Sequence, residues 1–272
     1  MTRALVFDSG VGGLSVLDAI VAAQLPIELD YAADNAWLPY GAKPDADLRA
    51  RVPALLAALV EQTSPDVVVV ACNTASTIAL DAVRAVLSIP VVGVVPPIKP
   101  AAEYSLSGVI GLLATPATVS RDYTDDLIAK FAAGKRVIRF GSTALVAAAE
   151  TKLRGETPPQ AAISEAIAGL FEAPGGGEID IVALACTHFP LLREELNRAA
   201  PRAVSWLDSG AAIARRVRDV IGISNLGSAQ PYRAVFTDPH AGRAVWQAFA
   251  VRGFHERCGA DADFRVRSVA KS

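Results

Sequence analysis

Val67-Val68-Val69-Val70-Ala71-Cys72-Asn73-Thr74 decides the architecture, and Ile181-Val182-Ala183-Leu184-Ala185-Cys186-Thr187-His188 repeats its design. Each begins with four apolar residues in a row, rich in Val and Ile. Such a run is too short for a stable helix and has no polar alternation, so it reads as a strand buried on both faces. Each run is followed by a cysteine and a polar pair. That order predicts a strand that delivers a thiol to the first turn of a helix.

Outward from these two runs, short apolar segments alternate with helical patterns along the chain. Strands are expected at Ala4–Phe7, Leu29–Ala32, Val67–Ala71, Val91–Val94, Val109–Leu113, Val137–Phe140, Ile181–Ala185, Val204–Leu207 and Ala234–Thr237. Helices are expected to start near Gly12, Asp45, Asn73, Pro97, Pro116, Ser142, Pro159, Pro190, Ser209 and His240. Several of these starts carry the Ser, Asn, Thr or Pro that helix N-termini favour. Strand–helix alternation predicts an α/β fold with parallel sheets covered on both faces. The strand count calls for two sheets. Asp8-Ser9-Gly10 and Asp208-Ser209-Gly210 form a second internal echo, each after a strand. The expectation is two similar parallel-sheet α/β domains with a site in the cleft between them. Ligands of such sheets bind beyond the carboxyl ends of the strands, where both thiols and Asp8 fall.

The bulk numbers exclude several classes. The chain has 272 residues, 52% hydrophobic and 20% charged, enough for a large core and against disorder. The net charge of -2 offers no polyanion-binding surface, so nucleic acid is not an expected partner. Arg215-Arg216-Val217-Arg218 reads as one solvated helix face. No apolar run reaches the ~18 residues of a membrane span. The start, Met1-Thr2-Arg3, leads into a strand and does not read as a signal peptide. Three cysteines, Cys72, Cys186 and Cys258, argue against a disulfide framework and for a reducing compartment, so the cytoplasm is expected.

A lone cysteine after a strand is more often a small core hydrophobe. Two in matched contexts reverse those odds, because a helix N-terminus stabilises the reactive thiolate. Two thiols held by pseudo-equivalent halves can act on one carbon from opposite faces, which is what inversion of a stereocentre without a cofactor requires. Cys258 sits in a polar C-terminal segment and is expected to be incidental. Cys72, Cys186 and His188 could ligate a metal, but no C-x-x-C pair accompanies them, and none is expected. Asp8-Ser9-Gly10-Val11-Gly12-Gly13 invites a dinucleotide reading that fails at Ser15, where the third glycine would fall. Its backbone N–H groups could still hold a carboxylate. Pro39-Tyr40-Gly41 reads by itself as an ordinary turn. His188 is placed to tune Cys186 or to orient a substrate. Glu150, at the end of the helical run from Ser142, reads as a solvated helix end.

Taken together, these motifs resemble the glutamate racemase family, within the cofactor-independent aspartate/glutamate racemase superfamily. The resemblance rests on Phe7-Asp8-Ser9-Gly10-Val11-Gly12-Gly13, Pro39-Tyr40-Gly41, Ala71-Cys72-Asn73-Thr74-Ala75-Ser76, Gly93-Val94-Val95-Pro96 through Lys99-Pro100-Ala101, Ala114-Thr115-Pro116-Ala117-Thr118, Ala185-Cys186-Thr187-His188-Phe189-Pro190-Leu191 and Asp208-Ser209-Gly210. It spans roughly Arg3 to Ile221 and is looser after Gly222; Pro97 stands where the family more often has Ala. The resemblance implies Cys72 and Cys186 as the two acid/base residues, assisted by Asp8, His188 and Glu150. It implies Asp8, Ser9, Tyr40, Gly41, Asn73, Thr74, Thr187 and His188 as substrate-binding positions. It also implies a discontinuous first domain, residues 1–96 plus 209–272, interrupted by a second at 97–208. The expected partner is glutamate, with no cofactor, metal, nucleic acid or membrane; a homodimer is compatible. The expected role is D-glutamate supply for peptidoglycan. Some members carry an N-terminal extension tied to activation by a peptidoglycan precursor, and this sequence shows none. A racemase for aspartate or a related substrate, and a ligand-binding protein on the same scaffold, are the competing readings.

Overall fold

The computed structural model describes residues 2–260 and 264–268. The chain forms two compact units, Met1–Val94 with Gly210–Ser272, and Val95–Ser209.

The first unit begins β1 (Thr2–Asp8), α1 (Leu14–Ala22), β2 (Ile27–Ala33), α2 (Asp45–Thr63), β3 (Val67–Val70), α3 (Asn73–Val86) and β4 (Val91–Gly93). The second unit holds α4 (Ile98–Tyr104), β5 (Val109–Ala114), α5 (Pro116–Val119), α6 (Asp122–Phe131), β6 (Arg136–Gly141), α7 (Ala144–Leu153), α8 (Gln160–Phe171), β7 (Ile181–Leu184), α9 (Arg193–Ala199) and β8 (Ser205–Leu207). The chain then completes the first unit with α10 (Gly210–Ile221), β9 (Gln230–Phe236), α11 (Pro239–Ala250), β10 (Glu256–Ala260) and β11 (Val266–Ser268).

Among the described residues the first unit carries the sheet β11-β10-β9-β2-β1-β3-β4, and the second carries β6-β5-β7-β8. All neighbours are parallel except β10 and β11. The two Cys-delivering runs are central strands. β3 lies between β1 and β4 with Phe7 opposite Val70, and β7 lies between β5 and β8. Val67, Val68, Val69 and Val70 are all fully buried, which explains the unbroken apolar run. Each such side chain contributes about 1.5–3 kcal/mol of burial. The C-terminal ends of β1 and β3 line up in register, so Asp8 and Cys72 emerge at the same edge of one sheet.

Three differences from the sequence expectations have clear causes. The helix expected from Pro116 is two helices. Arg121 is extended, and the Thr124 hydroxyl donates to the Thr118 carbonyl at 2.6 Å, which ends α5 after one turn. Two further strands, β10 and β11, extend the first sheet. Cys258 therefore lies inside β10 and is 1% exposed, so its segment is not a polar surface stretch. Glu-Arg-Cys-Gly-Ala lacks the apolar pattern of a buried strand, and pairing to β9 supplies what the pattern does not.

Candidate functional site

In the first unit, the site is built at the carboxyl ends of β1, β2 and β3. Asp8 is fully buried. Its Oδ1 accepts the Ser9 amide at 2.8 Å and its Oδ2 accepts the Gly13 amide at 2.6 Å. The carboxylate thus folds the glycine-rich loop onto itself. The Tyr31 hydroxyl adds a bond to the Gly10 carbonyl at 3.0 Å. Glycine is required at position 13, because a Cβ there would stand 2.7 Å from the Tyr31 hydroxyl and 2.9 Å from the Asp8 Cβ.

Cys72 is the N-cap of α3, a helix of 14 residues, and its sulfur accepts the Ala75 amide at 3.5 Å. The sulfur also lies 3.6 Å from the Ser9 hydroxyl, so the β1 loop and the β3 thiol meet directly. Both residues are nearly buried, at 5% exposure each. Asn73 and Thr74 follow in the first turn and are also buried. The Asn73 Oδ1 is buried with no hydrogen-bond partner, a costly arrangement that a bound donor would relieve.

Tyr40 and Gly41 form a turn of 3-10 helix, Tyr40–Ala42. The Tyr40 side chain is in the core, and its hydroxyl donates to Asp34 Oδ2 at 2.6 Å. Burial first, and the Asp34 carboxylate second, hold its pKa well above the usual tyrosine value. What the turn can offer a ligand is therefore backbone.

The second unit presents Cys186 just beyond β7, 7% exposed within an apolar cluster that includes Leu145, Val146 and Phe189. Here the expected helix start is absent. A 3-10 turn, Phe189–Leu192, follows with i to i+3 bonds, and α9 begins only at Arg193. Pro190 lacks the N–H that an α-helical first turn would use for continuity. Cys186 therefore has no long helix pointing at it. It has a side-chain relay. Its sulfur is 3.9 Å from His188 Nδ1, and His188 Nε2 is 2.7 Å from Glu150 Oε1. Glu150 is not a solvated helix end; its side chain is 13% exposed. It projects from α7, whose alanine-rich run favours helix and whose Leu145 amide donates to the Ser142 hydroxyl just before the helix at 3.1 Å. Lys152, one half-turn on, donates to the Leu191 carbonyl and pairs with Glu195, which pins α7 to the turn after His188.

His188 is 3% exposed. Burial lowers its pKa, but the Cys186 and Glu150 contacts outweigh burial and hold it well above the usual histidine value. The result is a buried imidazolium clamped between a thiol and a carboxylate. Thr187 is buried beside it. The Asp208-Ser209 echo differs from Asp8-Ser9 in use. Asp208 pairs with Arg193, and the Ser209 hydroxyl donates to the Val95 carbonyl at 2.6 Å.

The structure thus groups Asp8, Ser9, Tyr40, Gly41, Cys72, Asn73 and Thr74 in one unit, and Glu150, Cys186, Thr187 and His188 in the other. Among the described residues no group of three or more His, Cys, Asp or Glu side chains is placed to hold a metal ion. No described helix is long and apolar enough to cross a membrane.

The model of the Asp/Glu/Hydantoin racemase family matches residues 10–217, a span that takes in both thiols. The chain belongs to this family. Glutamate racemase from Sphingopyxis alaskensis is 54% identical over 86% of this chain and 87% of its own. Glutamate racemase from Vibrio cholerae is 49% identical over 87% and 88%. Among solved structures, Escherichia coli glutamate racemase in complex with L-glutamate and the activator UDP-MurNAc-Ala superposes with a TM-score of 0.87 at 39% identity, covering 99% of each chain. The two parallel-sheet units are those of the family.

Sequence reasoning missed Asp34, Arg51 and Thr237. The Asp34 carboxylate is fully buried and takes Tyr40, a bidentate Arg51 at 2.7 and 2.8 Å, and Thr237 at 2.8 Å. Its position at the end of β2, one strand from Asp8, was the available signal: its amide bonds the Asp8 carbonyl at 2.9 Å.

Proposed function

We propose that this protein is a glutamate racemase that interconverts L- and D-glutamate by acid/base catalysis between Cys72 and Cys186. The observation that carries the mechanism is the pair of nearly buried thiols, each just beyond a central parallel strand and each with a polar partner at its sulfur.

One thiolate takes the α-proton: the Cα–H bond breaks, an S–H bond forms, and the electron pair stays on carbon. The opposite thiol gives its proton to the other face of that carbon. The two cysteines end with exchanged protonation states, and the reverse reaction uses them in the opposite order. A free thiol has a pKa of about 8.5, so the base needs help near neutrality. For Cys72 the help is the α3 N-terminus and the Ala75 amide. Beside Cys186 lies His188, whose ring is oriented by its bond to Glu150. Asp8 serves Cys72 through Ser9, whose amide it fixes. The unpartnered Asn73 Oδ1 suits the substrate ammonium, and the Thr74 and Thr187 hydroxyls and the backbone at Tyr40–Gly41 suit its carboxylates. Preorganised donors of this kind stabilise the developing carbanion. No cofactor takes part in these steps.

D-Glutamate made this way supplies peptidoglycan synthesis in the cytoplasm. A homodimeric assembly belongs to the same proposal, and light scattering that returned one chain's mass would refute it. The activity is tested by circular dichroism of D-glutamate with purified protein and no added cofactor. The expected signal decays to zero. A flat trace with glutamate and decay with aspartate would replace the substrate; flat traces with both would favour a binding role.

A further inference from the structure

We infer that Phe264, in the C-terminal segment leading into β11, is a positioning residue for the Tyr40–Gly41 turn and acts through Arg51 and Asp34. The inference rests on the proposed function, because that reading places substrate against this turn.

The connection can be followed atom by atom within the first unit. Tyr40 is tied to Asp34, and Asp34 to both arms of the Arg51 fork. The Arg51 guanidinium in turn lies over two aromatic rings. Its central carbon lies 4.5 Å from the Trp37 ring centroid and 5.1 Å from the Phe264 ring centroid. Trp37 belongs to the same loop as Tyr40, three residues before it. A planar guanidinium in contact with two rings and forked onto one carboxylate has little freedom left. Phe264 is itself held, because Gln62 of α2 donates to its carbonyl at 2.8 Å and accepts the Val266 amide at 2.6 Å. A segment outside the family-model match thus contacts, through Phe264, the arginine that is forked onto Asp34. Tyr40 packs in the same apolar cluster as Cys72, so any shift of the turn is felt at the thiol's side of the site.

The test is steady-state kinetics in both directions on Phe264→Ala, Arg51→Lys and the double variant, with melting temperatures. Phe264→Ala removes one of the two ring contacts of Arg51 but leaves its pairing with Asp34 in place. A cation–π contact of this kind is worth roughly a fivefold change in an equilibrium. The expected result is a KM for each enantiomer raised about fivefold with kcat kept within about twofold. Arg51→Lys keeps the charge but loses the fork and the guanidinium's ring contacts, so it raises KM further, and adding Phe264→Ala to it changes KM little. An unchanged KM in Phe264→Ala, or additive effects in the double variant, would overturn the inference. A lowered melting temperature alone would mean a merely structural role and would overturn it too. Independently of turnover, a crystal structure of Phe264→Ala with Arg51 and the Tyr40–Gly41 turn unmoved would do the same. An inactive wild-type protein would instead sink the glutamate reading.

Discussion

Replacing Glu150 by Gln isolates the charge in the His188 relay, because Gln keeps the size and an acceptor oxygen. In the native protein His188 holds its proton well above its ordinary pKa, while the unfolded chain releases it near ~6.5. A group of this kind contributes stability that is fully present below the unfolded pKa and is lost as pH rises through the folded one. Over that window the native state binds one proton more, so unfolding free energy falls by about 1.4 kcal/mol per pH unit from this group alone. The 2.7 Å bond from a buried imidazolium to a carboxylate is worth about 1.5–3 kcal/mol. Glu150→Gln should therefore cost that much at about pH 6 and below, and progressively less as the pH is raised, followed up to about 8.5, where ordinary thiols begin to titrate. Above that range the buried Cys258, pushed up to about 12, begins to impose its own slope. The assay is urea unfolding between these pH values, read from Trp206, which sits in the second unit's core. Trp37 and Trp246 are replaced by Phe so that this core reports alone. Parallel stability–pH lines for the two proteins would refute the buried imidazolium, whatever happened to the rates.

Three other expectations are independent of that one. Cys72→Ser and Cys186→Ser should each lower racemisation by roughly 10²–10⁴-fold, the usual contribution of a positioned acid or base; wild-type turnover in either would end the two-thiol mechanism. Gly13→Ala should destabilise the first unit by about 1–3 kcal/mol, since the added Cβ meets Tyr31 and Asp8 inside contact distance, and an unshifted urea midpoint would contradict the tight loop. Native-state alkylation at pH 8, followed by peptide mass spectrometry, should leave Cys258 unlabelled, because burial first and the Glu256 carboxylate second keep it protonated; stoichiometric labelling would show that β10 opens.

The fold was legible where burial is two-sided. Val67–Val70 and Ile181–Leu184 have no polar face, and nothing but a central parallel strand suits them. Asp8 and the thiols could be placed because each follows such a run directly. β10 was not legible, since Arg257 and Glu256 interrupt any apolar pattern and the strand owes its place to β9. The helix at Cys186 was over-read: the sequence there resembles that at Cys72, but Pro190 and a 3-10 turn intervene. His188 was visible as a neighbour of Cys186, whereas its bond to Glu150 spans 38 residues and two elements that only folding brings together. The same holds for Asp34, whose partners are 6, 17 and 203 residues away. Periodicity says nothing about contacts of that range.

The discontinuous first unit also fixes an order of events on the ribosome. When synthesis reaches Ser209, all four strands of the second sheet have been made, and that unit can close. The first sheet at that moment has only β2, β1, β3 and β4, and the outer edge of β2 lacks the partner that β9 later supplies. Ile27–Ala33 is a seven-residue, largely buried strand, the kind of open edge that invites pairing between nascent chains. Truncations that stop before Gln230 leave this edge bare, so shortened chains should aggregate even though both thiols and every residue around them have been synthesised.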